Sequence, residues 1–135
     1  MQTKPYLELA DAKRIVAAAE AEAQKNNWAV VIAVCDDGGH LLCLHRMDGA
    51  APVSSEIASG KALTAALGRR ASKIYEDIIN AGRFAFLSAP GLGAMLEGGE
   101  PIMIDGHCVG AVGVSGVKSS EDVLIARAGI AALQP

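Results

Sequence analysis

Two cations and a glycine pair are the residues of this chain best suited to hold a small anion. Arg46 ends an apolar run and is followed by Asp48; Glu56 and Lys61 lie on the next helical stretch, and Gly98-Gly99 precedes Glu100-Pro101. Arginine supplies a planar bidentate fork, lysine a point charge, and successive glycine amides a nest of uncharged donors. Together they would make a carboxylate clamp, with Arg46, Asp48, Glu56, Lys61, Gly98 and Gly99 around one cavity. Other arrangements use the same residues. Lys61, framed by Ala58, Gly60, Ala62 and Ala65, could instead snorkel to water or pair with an acid such as Asp48 or Asp36. Arg46 could bridge to Asp48, and the Gly-Gly pair could be a tight turn before a strand.

His40, His45 and His107 are the candidate axial ligands for a haem, which needs only one or two ligands and an apolar slot. His40 and His107 stand beside turn signals and His45 inside an apolar run. Strand alternation would put His40, Leu42, Leu44 and Arg46 on one face, and Leu41, Cys43, His45 and Met47 on the other. Cys35, Cys43 and Cys108 read as small buried hydrophobes. No Cys/His set has zinc spacing and no H-E-x-x-H occurs, so no metal site is expected. Ser115 lacks the G-x-S-x-G elbow, and no glycine-rich nucleotide motif is found. The sequence therefore leaves the catalytic residues, and whether the protein is an enzyme, open.

These groups must be positioned by helices and hairpins. Leu9–Lys25 places Ala12, Ile15, Val16, Ala19 and Ala23 on one face of a helix. Trp28–Asp36 is a continuously apolar strand covered on both faces, Asp37-Gly38-Gly39 a turn, and His40–Met47 the returning strand. A helix capped by Ser54 or Ser55 runs to about residue 67, and a shorter one spans Ser72–Ala81. Arg83–Glu97, with Pro90, Gly91 and Gly93, reads as a loop or irregular strand. Asp105-Gly106 between apolar runs marks a type I′ hairpin. Gly110 and Gly113 in the second of these runs signal a bulge or a close backbone approach. Ser119 and Asp122 are spaced as a capping box for a last helix with Val123, Ala126, Ile130 and Leu133 on its buried face. The order α-ββ-α-α-(β)-ββ-α predicts an α+β fold on a mostly antiparallel sheet, one domain over 1–135.

Arg46-Met47-Asp48-Gly49, Lys61-Ala62-x-Thr64-Ala65, Gly98-Gly99-x-Pro101 and Gly110-Ala111-Val112-Gly113-Val114-Ser115-Gly116 together resemble the GlcG/HbpS family, the haem-degrading domain family. The likeness runs from Leu7 to Leu133. It departs at Ser120-Glu121-Asp122, where members often carry Glu-Gln-Asp. Glu8 also stands where a Ser or Thr cap is more usual. The resemblance implies a profilin-like or PAS-like five-stranded antiparallel sheet flanked by helices, the first and last helices sharing one face. It also implies a homo-oligomer built from dimers, often an octamer, with ligand sites near subunit interfaces. It points to a small-ligand binding protein for haem, another tetrapyrrole or a small organic acid. An enzyme (hydrolase, isomerase or lyase) acting on a small carboxylate in a catabolic pathway is the alternative, and a regulatory subunit with a vestigial pocket a third.

Bulk properties narrow the partners. A formal net charge of -3 and 4% aromatics give neither an electrostatic nor a stacking basis for nucleic-acid binding. The longest apolar run, Trp28–Cys35, is too short to span a bilayer. Apolar residues on both faces of the central strands favour self-association. An odd number of cysteines without a C-x-x-C, and a first segment lacking signal-peptide character, suggest a cytoplasmic location.

Overall fold

The computed structural model describes residues 1–133; the last two residues of the expected 1–135 domain lie outside the described residues. Helix α1 (Leu9–Lys25) buries the five residues its periodicity marked. Strand β1 (Val31–Asp36) turns through Asp37-Gly38-Gly39 into β2 (Leu41–Arg46). The Asp36 carboxylate accepts the amides of Gly38 and His40, both at 2.9 Å, which holds the turn. Helix α2 (Val53–Gly68) and the short α3 (Lys73–Asn80) follow. Strands β3 (Gly99–Ile104) and β4 (His107–Ser115) and helix α4 (Ser119–Ala131) complete the order. Asp105 and Gly106 take φ of 49° and 78°, the two positive values a type I′ turn demands.

All pairings are antiparallel, in the order β2-β1-β4-β3. Helices α1 and α4 cover one face through Ile15, Val16, Ile32, Val112, Val114 and Ile125; α2 covers the other through its alanines, over Val31, Ala33 and Ala111. Central β1 is buried from Val31 to Cys35, as its unbroken apolar run requires. Helix α2 lies so close to β4 that a Cβ on Gly113 would stand 2.0 Å from the Ala58 carbonyl oxygen. Glycine is the only residue that lets helix and strand approach this far.

Four expectations are corrected. Four strands, not five, are found among the described residues. Of the loop or irregular strand expected over residues 83–97, the loop is found, entered through a 3-10 helix (Phe84–Ser88), and the strand is not. There the Gly93 amide donates to Thr64 Oγ at 3.1 Å, so the segment is tied to α2 and not to a sheet edge. The capping box of α4 also sits one residue earlier than read. Glu121 accepts the Lys118 amide at 3.2 Å, and Asp122 turns inward. Finally, strict alternation fails in β2. A register shift opposite Val34/Cys35 lets Leu42 and Cys43 both pack on the α1/α4 core, while Leu44 packs beneath α2.

Candidate functional site

Lys61 is 3% exposed, on the face of α2 turned to the sheet. Its Nζ donates to the Val114 carbonyl at 2.8 Å and to Asp122 Oδ2 at 3.1 Å. Asp122, 2% exposed, accepts the Val117 amide on its other oxygen at 3.3 Å. Burial pushes the Asp122 carboxyl above its usual range, against the opposing pull of the Lys61 ammonium. The Gly98-Gly99 pair closes over this lysine. A Cβ on Gly98 would lie 2.6 Å from Lys61 Nζ, and one on Gly99 2.3 Å from the Lys61 carbonyl oxygen. The Gly99 amide is spent on Ser72 Oγ at 2.9 Å. Lys61 and the two glycines are thus brought together, as an enclosed ion pair that ties α2 to α4 where β4 ends.

Arg46 and Asp48 lie elsewhere. With Glu20, Gln24 and Met47 they line an open depression at the end of β2. Arg46 pairs with Val31, and Val31 with Ser115 beside Val114, so two strand spacings, about 10 Å, separate it from the strand Lys61 binds. Neither Arg46 nor Asp48 makes an ion pair among the described residues. His45 joins this end of the sheet, its Nδ1 3.2 Å from Glu20 Oε1. Glu56 is exposed in the first turn of α2, where the positive helix end suits its charge.

His40 is exposed at the first turn, and half-buried His107 lines a recess with Lys4, Asp37, Arg69 and Cys108. The three histidines therefore belong to no common cluster, and no three His, Cys, Asp or Glu side chains among the described residues group closely enough to hold a metal ion. All three cysteines are free; burial pushes the Cys35 thiol up to about 12. No described helix is long and apolar enough to cross a membrane.

Asp122 escaped the sequence reading because it looked like a helix cap. Its signal was present: it stands three and four residues before Ile125 and Ala126, on the buried stripe of α4.

The family model described as haem degrading protein HbpS-like matches residues 7–131. The chain belongs to the HbpS-like family. Protein GlcG of Escherichia coli K12 is 57% identical to this HbpS-like chain over 115 residues, 85% of each. A double mutant of Streptomyces reticuli HbpS superposes with a TM-score of 0.89 at 31% identity, covering 100% of this chain and 92% of that one. The PduOC:heme complex gives 0.87 at 29% identity, covering 96% of both chains.

Proposed function

We propose that this HbpS-like protein binds a small anionic ligand, namely haem, another tetrapyrrole or a small organic acid. The support is a solved relative: a protein of the same fold at 29% identity is described in complex with heme. The depression at the end of β2 suits the polar part of such a ligand. Arg46 offers an unpaired fork for a propionate or carboxylate, Asp48 and Glu20 are hydrogen-bond acceptors beside it, and His45 is the nearest imidazole. Enclosed Lys61 and the Gly98-Gly99 wall would act indirectly, by holding the end of β4 beside that depression.

Assembly into dimers and higher oligomers is part of the reading. Phe84 and Leu87 are 66% and 65% exposed on the 3-10 helix, with Ile74 and Leu96 exposed nearby in the chain. Such side chains are of the kind a second copy would cover.

Titration with haemin tests the proposal. A saturable Soret shift is expected, weakened in Arg46→Ala and altered in one of His40→Ala, His45→Ala and His107→Ala. Unchanged spectra in all three histidine variants would overturn histidine ligation. No Soret shift, with a native mass spectrum showing no copurified organic acid, would overturn the binding function.

A further inference from the structure

A recess at the turn end of the sheet is lined by Lys4, Asp37, Arg69, Met103, His107 and Cys108. Four separate pieces of chain build it: the first residues, the β1–β2 turn, the end of α2 and the β3–β4 hairpin. Arg69 follows α2 directly and adopts φ 57° and ψ 32°. The other non-glycine residues with positive φ among those described are Asn27 and Asp105, types that tolerate it. At a helix end this conformation normally belongs to glycine. The Arg69 amide caps the Ala66 carbonyl at 3.3 Å, a bond that glycine would make equally well.

Capping therefore does not account for the guanidinium. It forms no ion pair among the described residues, whereas the guanidinium of neighbouring Arg70 lies 5.2 Å from the Tyr75 ring centroid. Backbone strain beside a cavity, carrying a planar cation with no ion-pair contact, is a mark of a binding position.

The surrounding charges agree. Lys4 pairs with Asp37 and, with a smaller contribution from Arg69, holds its carboxyl below the usual range, so one carboxylate faces two cations and the recess keeps a net positive charge. Burial pushes the Cys108 thiol up, so it adds no negative charge near neutral pH. The negative end of α2 reduces the field of Arg69 without cancelling a full charge.

We propose that this recess is an anion site, in which Arg69 holds the carboxylate or phosphate group of a small ligand bidentately, with His107 and Lys4 beside it. The length of β1, about 20 Å for six residues, separates it from the depression at Arg46. It stands or falls independently of haem binding.

Heteronuclear NMR of the full chain, titrated with inorganic phosphate or with succinate against a sodium chloride control, tests it. Saturable shifts confined to the amides of Arg69, Gly106, His107 and Cys108 are expected. Saturation by phosphate alone would support a phosphate ester as ligand, and by succinate alone a carboxylate. Arg69→Gly should weaken binding tenfold or more. The same variant should raise the midpoint of thermal unfolding, because glycine relieves the left-handed backbone. Three results would overturn the site: no saturation by about 10 mM of either probe, equal shifts with chloride, or unchanged affinity in Arg69→Gly. A fall in the unfolding midpoint of Arg69→Gly would also overturn it, since the arginine would then be serving the fold.

Discussion

Replacing Lys61 with methionine keeps most of the side-chain volume and removes the ammonium. In the folded protein Asp122 would then be 2% exposed with only the Val117 amide at 3.3 Å to stabilise its charge. Breaking a buried pair from one side costs about 3–5 kcal/mol, because the surviving charge stays desolvated. The size of the loss should depend on pH. Asp122 already has a raised pKa from burial, and losing Lys61 removes the largest opposing influence, so the variant's pKa rises further. A carboxyl raised on folding binds more protons in the native than in the unfolded state. Its stabilising contribution is full below the unfolded value and is lost as pH rises through the folded one. Lys61→Met should therefore be most damaging at about pH 8 and recover part of its stability near pH 5. Urea unfolding of wild type and variant at the two pH values measures this. Lys61→Met/Asp122→Leu should recover more than half of the loss, since it leaves no buried charge. A loss below about 1 kcal/mol at pH 8, the level of an exposed pair, would refute the reasoning, as would a loss independent of pH.

Gly113→Ala should destabilise by about 1–3 kcal/mol or more, since its Cβ would fall 2.0 Å from the Ala58 oxygen and force α2 off the sheet. Differential scanning calorimetry reads the change. Glu121→Ala removes the acceptor of the Lys118 amide and should cost about 0.5–1 kcal/mol in chemical unfolding, with little loss of helix signal. Cys35, 2% exposed with its thiol pushed up to about 12, should stay unmodified by iodoacetamide at about pH 8 until the protein unfolds. Mass spectrometry of tryptic peptides checks that, with labelling of native Cys35 as the contrary result.

The parts of the fold that were legible in advance are those where one local signal dominates. The 3.6-residue stripe of α1, the unbroken apolar run of β1 and the Asp105-Gly106 turn each reappear with the expected residues. Segment 83–97 was less legible because Gly93 donates to Thr64, a contact 29 residues distant that no local window holds. The enclosed ion pair was half legible for the same reason. An ammonium among alanines had to reach water, an anion or an acid such as Asp48 or Asp36; that its partner is Asp122 depends on how α4 returns past the end of β4. Asp122 carried two compatible local meanings, cap and core, and Glu121 beside it took the capping role. Arg69 was overlooked because residue type alone does not disclose a left-handed backbone.

The enclosed pair also constrains how this chain can diverge. Lys61 and Asp122 sit in layers on opposite faces of the sheet, 61 residues apart in sequence, yet neither can be exchanged alone without stranding a charge. A lineage that loses one must cross a destabilised intermediate or change both within a short interval. Among homologues the two positions should therefore be charged together or apolar together, a covariation that would reveal contact between the layers without any structure.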